Sequence, residues 1–283
     1  MIISISGKID SGKDTVGKII QYLYYLKSDI HQHKISYEEF LKTDRVNNIL
    51  YDKDIPEVKK FADKLKDIVC LLIGCTREQL EDSEFKEKEL GEEWWYYKYD
   101  NFMCPYKEEQ NFPYELSSLI KLTPRLLMQL IGTECGREII HPNIWVNSLM
   151  NEYKPKYVTK QLENLIKKYP NNKSLMFPPE GTSIKDSNYP NWIITDTRFP
   201  NELKAVKNRG GISIRVNRFV KCKCTNLGDA ENCNRFCTEQ PMDEHPSEIA
   251  LDNTTFDYVI DNNGTIEELI HNVKSILIQE KII

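Results

Sequence analysis

Residues 2–15 read Ile2-Ile3-Ser4-Ile5-Ser6-Gly7-Lys8-Ile9-Asp10-Ser11-Gly12-Lys13-Asp14-Thr15. Three isoleucines within the first five of these positions predict a short buried strand. After the loop, apolar residues recur at the spacing of one helix face, at Val16, Ile19, Ile20, Leu23 and Leu26. The stretch therefore predicts a strand, a glycine-containing loop and a helix, in that order.

The loop has the spacing Gly7-x4-Gly12-Lys13, which is typical of a phosphate-binding loop. Its glycines let backbone N–H groups point at phosphate oxygens, and the following helix adds its positive end. The predicted phosphate-binding residues are Gly7, Ser11, Gly12, Lys13, Asp14 and Thr15. Asp14 stands where a Ser or Thr usually supplies a hydroxyl ligand to Mg²⁺, so the sequence leaves open which group holds the ion.

The rest of the chain alternates apolar segments of strand and helix type. Short strands are predicted at 57–61, Trp192–Asp196, Ile212–Val216 and Phe256–Ile260, and helices at Ala62–Ile73, Pro200–Asn208 and Ile266–Ile278. Strands that alternate with helices indicate an α/β fold. We expect a five-stranded parallel sheet with helices on both faces and inserted loops.

The 283 residues are predicted to form one domain, 1–283, because a chain of this length can bury a large core. Three polar or irregular segments, near 28–56, 81–115 and 154–190, are predicted insertions. A cysteine-rich segment, 218–245, lies between the last two predicted strands, where it would act as a lid.

Composition excludes several classes of protein. The chain carries 38 Lys+Arg and 43 Asp+Glu, a net charge of −5, with 40% hydrophobic residues. This balance fits a folded globular protein and argues against nucleic acid or an anionic membrane as a partner. No stretch reaches the roughly 18 apolar residues of a membrane span, and the first residues do not resemble a secretory signal. We expect a cytoplasmic protein.

Four cysteines crowd into 16 residues with the spacing Cys222-x-Cys224-x8-Cys233-x3-Cys237. Four thiolates can bind Zn²⁺ tetrahedrally, and such an ion would be structural because it leaves no open position. The spacing is not that of a standard zinc finger. A structural Zn²⁺, free thiols and a redox-active disulfide all remain open.

Four groups of residues together resemble phage-type deoxynucleoside monophosphate kinases. They are Ser11-Gly12-Lys13-Asp14-Thr15, then Leu127-Met128-Gln129-Leu130-Ile131-Gly132-Thr133-Glu134 with Arg137 and Trp145, then Asp196-Thr197-Arg198-Phe199-Pro200-Asn201-Glu202, and finally His245-x-Ser247-Glu248 with Asp257-Tyr258-Val259-Ile260 and Asn263-Gly264. The similarity extends over most of the chain, with insertions between the motifs.

The resemblance implies a P-loop kinase that transfers the γ-phosphoryl group of ATP to a deoxynucleoside monophosphate, with Mg²⁺. Lys13, Arg198 and Asp196 would be catalytic, and Asp14 and Asp196 would hold the metal. The acceptor-binding residues would be Arg125, Arg137, His245 and Glu248, and the loop beside the donor adenine would be Asn262, Asn263 and Gly264. Its partners would be nucleotides, in the cytoplasm of a bacterial host if the chain is phage-encoded. A homodimer stays open, as does the preferred base.

Two alternatives remain. Animal phosphomevalonate kinases share the Ser-Gly-Lys-Asp, Asp-Thr-Arg and Ser-Glu elements. In them a second Arg usually follows Asp-Thr-Arg, where this chain has Phe199, and they lack the Gly-Thr-Glu pattern and the His of His-x-Ser-Glu; these differences favour a nucleotide acceptor. The other alternative is a non-kinase, zinc-bearing P-loop NTPase module that binds DNA or a protein, against which the absence of a basic patch argues.

Overall fold

The computed structural model describes residues 1–27, 34–42, 55–100, 102–106, 116–154, 189–218 and 246–283. These residues form two compact units. The sheet unit comprises Met1–Lys60 and Met150–Ile283, and the inserted unit comprises Phe61–Leu149. That the chain folds as a single kinase domain stays a prediction.

The strands, in chain order, are β1 (Ile2–Ser6), β2 (Glu57–Lys59), β3 (Trp95–Tyr99), β4 (Phe102–Pro105), β5 (Ser118–Lys121), β6 (Trp192–Ile194), β7 (Ile212–Asn217) and β8 (Tyr258–Asp261). The α-helices are α1 (Lys13–Lys27), α2 (Tyr37–Lys42), α3 (Asp63–Ile73), α4 (Arg77–Glu81), α5 (Ser83–Glu87), α6 (Pro124–Gln129), α7 (Ile144–Met150), α8 (Pro200–Lys207), α9 (Pro246–Ile249) and α10 (Ile266–Gln279). A 3₁₀ turn, Glu92–Trp94, and a π-helix, Leu130–Ile140, complete the described elements. Within the described ranges, no helix has the length and apolar character to cross a membrane.

The sheet unit contains a five-stranded sheet in the order β2-β6-β1-β7-β8, and all of its pairings are parallel. The predicted α/β class and the five parallel strands are confirmed. β6 ends at Ile194, two residues earlier than predicted. In the residues that follow, the hydroxyls of Thr195 and Thr197 contact Asp14 and Ser4 on other elements.

Helices cover both faces of this sheet. Ile3, Ile5 and Ile214 lie in one apolar core with residues of α1 and α10. Side chains alternate between the faces of a strand, so Ile2 and Ser4 point to the opposite face. There α8 packs on β1 and β7. A Cβ at Gly211 would lie 2.6 Å from Val206 Cγ1 of α8 and 2.8 Å from the Ile2 carbonyl oxygen, so glycine is needed for this close approach.

The register of the sheet brings the candidate residues together. Ser6, the last residue of β1, pairs with Arg215 of β7, and Ser4 pairs with Ile194, the last residue of β6. Because parallel strands end at the same edge of a sheet, the loop after Ser6 and the residues after Ile194 emerge side by side. This edge of the sheet therefore carries the candidate active-site residues.

The inserted unit has its own core and its own small sheet. Its core comprises Leu65, Val69, Leu80, Leu127 and Trp145. Two of its helices begin at threonine caps: Thr76 forms a capping box with Gln79, and the Thr123 hydroxyl accepts a hydrogen bond from Leu126 N. Strands β3, β4 and β5 form an antiparallel sheet in the order β4-β3-β5. β3 and β4 lie within the predicted insertion, 81–115, whereas β5 follows it.

Candidate active site

The loop between β1 and α1, Gly7–Lys13, is called the glycine loop below. The carbonyl oxygen of Lys8 accepts hydrogen bonds from Ser11 N at 3.2 Å and from the Lys13 ammonium at 2.6 Å. Asp10 and Gly12 have left-handed backbone angles, with φ of 58° and 95°. These contacts close the loop into a tight turn immediately before the first turn of α1.

Two glycines in the loop have no room for a side chain. A Cβ at Gly7 would lie 2.5 Å from the Val216 carbonyl oxygen and would also collide with Ser11 Oγ. A Cβ at Gly12 would collide with Asn262 Nδ2, and the φ of 95° disfavours other residues in any case. The glycines of the sequence motif are therefore required by backbone geometry in this fold.

Lys13 is the central cation of the site. Its side chain is largely buried, and the residue is only 9% exposed. Burial, and after it the positive charge of Arg198, lower the pKa of Lys13 to about 8, although Asp14 and Asp196 partly oppose this shift. Most of the ammonium is still protonated at neutral pH. An anion bound beside it would raise this pKa and be held by a charge that little water screens.

Asp14 is held by two partners in the sheet unit. Thr195 Oγ1 donates a hydrogen bond to Asp14 Oδ1 at 2.8 Å, and Lys60 Nζ lies 3.2 Å from the same oxygen. Burial acts to raise the pKa of Asp14, but the charge of Lys60 and the hydrogen bond from Thr195 outweigh it, so this pKa is lowered. Asp14 is therefore an ionised carboxylate.

The donor chemistry at this edge fits Mg²⁺. Asp14 and Asp196 both act electrostatically on Lys13, and carboxylate oxygens are ligands that Mg²⁺ prefers. Mg²⁺ commonly keeps several waters and takes only one or two protein carboxylates. Two carboxylates at this edge match that requirement.

The segment Asp196-Thr197-Arg198 is fixed by buried hydrogen bonds. Thr197 is fully buried, and its hydroxyl lies 2.8 Å from that of Ser4 in β1. Glu202 is 1% exposed, and its carboxylate accepts hydrogen bonds from the backbone N–H groups of Arg198, at 2.8 Å, and Phe199, at 3.1 Å. The backbone of Arg198 is thus anchored, and its guanidinium forms an ion pair with Glu248.

We expect Glu202→Ala to lower the free energy of unfolding by about 2 kcal/mol or more, because it strands two backbone N–H groups without an acceptor. Chemical denaturation of the purified protein measures this. Glu202→Gln keeps an acceptor oxygen, so its free energy of unfolding should fall clearly less. A matched control is Glu268→Ala, since Glu268 accepts from a backbone N–H at the exposed start of α10. A loss for Glu202→Ala no larger than for Glu268→Ala would contradict the proposed anchoring.

Three residues at this edge were not assigned from the sequence. Arg215 of β7 donates to Ser6 Oγ at 3.2 Å and to Asp252 Oδ1 at 2.9 Å. Lys8 Nζ lies 3.6 Å from Asp252 Oδ2. The available signal for Arg215 was its position between two apolar residues, Ile214 and Val216, of a predicted strand. Asp252 lies in a turn with no recognisable motif, and no local signal marked it.

Asn262 lies against the glycine loop. Its side-chain amide donates to the Ser11 carbonyl oxygen at 2.9 Å, so the loop after β8 supports the loop after β1. Gly264 immediately precedes Thr265, which caps α10. The predicted contact of Asn262, Asn263 and Gly264 with a donor adenine stays a prediction.

The predicted acceptor residues are distributed over both units. Arg125 pairs with Glu87, and Arg137 donates to the Gly132 carbonyl oxygen at 2.7 Å; both lie in the inserted unit. Glu248 lies in the sheet unit, where it pairs with Arg198. His245 and the four clustered cysteines, Cys222, Cys224, Cys233 and Cys237, lie outside the described residues.

The fold is α/β with a five-stranded parallel sheet flanked by helices, as in a P-loop kinase-like domain. No protein-family model matches the chain. The chain is similar to the deoxynucleoside-5'-monophosphate kinase of Escherichia phage T5, with 25% identity over 172 residues, which cover 52% of this chain and 60% of that protein. It therefore spans about three fifths of the length of this relative. The resemblance to phage-type kinases that the sequence motifs indicated is confirmed.

Proposed function

We propose that this chain is a P-loop kinase that transfers the γ-phosphoryl group of ATP to a deoxynucleoside monophosphate, giving the diphosphate and ADP. The observation that carries the proposal is the placement of Lys13, in a glycine loop, beside Arg198 and two carboxylates at one edge of a parallel sheet. The similarity to a protein named as a deoxynucleoside monophosphate kinase supports the same class of acceptor.

The proposed reaction needs no catalytic base. A phosphate monoester has a second pKa of about 6, so its dianion is already a nucleophile at neutral pH. An oxygen of the acceptor phosphate bonds to the γ-phosphorus of ATP while the bond from that phosphorus to the β–γ bridging oxygen breaks, and ADP leaves. Such a transfer depends on positioning the two anions and neutralising their charge.

The residues take the following roles in this proposal. Lys13 neutralises the transferring phosphoryl group, and the guanidinium of Arg198 exchanges Glu248 for phosphate oxygens. Mg²⁺, when bound, supplies further charge neutralisation on the donor phosphates, and Asp14 and Asp196 would hold it. Arg125, Arg137, His245 and Glu248 are proposed to bind the acceptor. A structural Zn²⁺ at the cysteine cluster stays a prediction.

An ADP-release assay across the four dNMPs, the four rNMPs and phosphomevalonate tests the acceptor. We expect kcat/KM for at least one dNMP to exceed that for phosphomevalonate by about 100-fold or more, because a pocket with hydrogen-bonding groups for a base rejects a molecule without one. The reverse order would replace the proposal by a phosphomevalonate kinase. ADP release at the same rate without any acceptor would indicate an NTPase module.

A further inference from the structure

Asp252 bridges two cations at the edge of the sheet. Its Oδ1 accepts a hydrogen bond from Arg215 at 2.9 Å, and its Oδ2 lies 3.6 Å from Lys8 Nζ. Asp252 follows the short helix α9 by three residues, whereas Arg215 comes from β7 and Lys8 from the glycine loop. The carboxylate thus joins three parts of the sheet unit that are distant in sequence.

Both cations belong to the surroundings of Lys13. Lys8 directly follows Gly7, and its carbonyl oxygen accepts a hydrogen bond from the Lys13 ammonium. Arg215 lies beside Ser6, the residue before the glycine loop, and its charge contributes to the lowered pKa of Lys13. A phosphate group that reached Lys13 would therefore come within the electrostatic range of Arg215, and the Lys8 ammonium lies at the same Asp252 carboxylate as Arg215.

The bridge is open to exchange. The side chain of Asp252 is 31% exposed and that of Lys8 is 43% exposed, so water reaches this carboxylate, whereas the side chain of Arg215 is 14% exposed. Ion pairs with this exposure are worth about 1 kcal/mol or less. A polyphosphate offers the same cations several oxygens and more negative charge than one carboxylate does, so it competes favourably for them.

We propose that Asp252 is a displaceable counter-ion: it occupies Arg215 and Lys8 in the free protein, and the polyphosphate of the nucleotide takes both cations when it binds. This inference rests on the proposed function, because it assigns Arg215 and Lys8 to the donor phosphates of that site. Asp252 then lowers the affinity for polyphosphate and favours release of the bound nucleotide.

Calorimetric titration with inorganic tripolyphosphate, without metal, tests the competition. We expect Asp252→Asn to bind tripolyphosphate about three- to tenfold more tightly than the wild type, since the neutral amide neither neutralises the two cations nor repels phosphate. Glu38→Gln, at an exposed position of α2, is the control for the change in net charge and should bind as the wild type does. Asp252→Ala should shift affinity in the same direction and serves if the Asn variant is poorly folded.

Arg215→Gln shows whether the gain depends on the released cation. When Arg215 is already Gln, Asp252→Asn should increase the affinity for tripolyphosphate clearly less than it does when Arg215 is present. A general effect of net charge would give the same increase in both cases. Unchanged or weaker binding by both Asp252 variants would overturn the inference, since it would mean that Asp252 only holds Arg215 in place.

The proposed function fails separately from this inference. Suppose that the wild type binds tripolyphosphate, that Asp252→Asn binds it more tightly, and that the wild type phosphorylates no dNMP. Only the proposed acceptor is then contradicted. A wild type that binds no tripolyphosphate overturns the displaceable counter-ion and the phosphate-binding role of the glycine loop together.

Discussion

Lys13→Met is expected to lower kcat by about 100-fold or more, because it removes a preorganised charge from the transferring phosphoryl group. The fold should persist. Burial of the ammonium is unfavourable, as the lowered pKa of Lys13 shows, and methionine fills a similar volume without a charge. Steady-state turnover at saturating ATP and dNMP measures the loss, and circular dichroism with chemical denaturation measures the fold.

Lys18→Met provides the matched control, since Lys18 lies on an exposed position of the same helix, α1. It should retain the turnover of the wild type. A folded Lys13→Met variant with nearly wild-type turnover would contradict the assignment of the glycine loop to phosphate binding.

Arg198→Met is expected to lower kcat/KM by about 100-fold, because the guanidinium is proposed to bridge the phosphates during transfer. The backbone around it should stay in place, because Glu202 accepts hydrogen bonds from the N–H groups of Arg198 and Phe199. Arg198→Lys should recover only a small part of the activity, since an ammonium cannot make the paired hydrogen bonds of a guanidinium. Initial rates over a range of ATP and dNMP concentrations give the value.

Arg209→Met is the control for this change. Arg209 follows α8 and donates to the Ala205 carbonyl oxygen, so its loss removes an arginine from the same segment without reaching the candidate site. If Arg198→Met is as active as Arg209→Met, a catalytic role for Arg198 is excluded. The ion pair of Arg198 with Glu248 would then be structural only.

Much of the fold follows from local pattern. The strand, loop and helix over residues 2–27 were predictable because the apolar spacing changes from that of a strand to that of a helix, with glycines between. Helix starts at Thr76 and Thr123 were predictable because capping is a property of adjacent residues. In contrast, β3 and β4 were missed: the charged and aromatic residues of 81–115 show no clear alternation.

The candidate site was predictable as far as its motifs are continuous. The glycines and Lys13 lie in one run of residues, and so do Asp196 and Arg198, so their spacing could be read directly. Which side chains fix these residues could not be read. Thr195 bonds to Asp14 from 181 positions away, and Arg215 bonds to Ser6 from 209 positions away.

The order and register of the strands explain why the motifs could be predicted and the contacts between them could not. The period of the apolar residues, the capping residues and the spacing of the glycines are local properties. They are therefore visible in the sequence, and they predict the helices and strands of this chain. The pairing of Ser6 with Arg215, and the bridge from Asp252 to Arg215 and Lys8, exist because β1 lies between β6 and β7 in the folded sheet. Such contacts join residues that are far apart in the sequence, and no local pattern shows which of these residues meet. Folding alone brings these residues together, and the electrostatic effect of Arg215 on Lys13 arises only then.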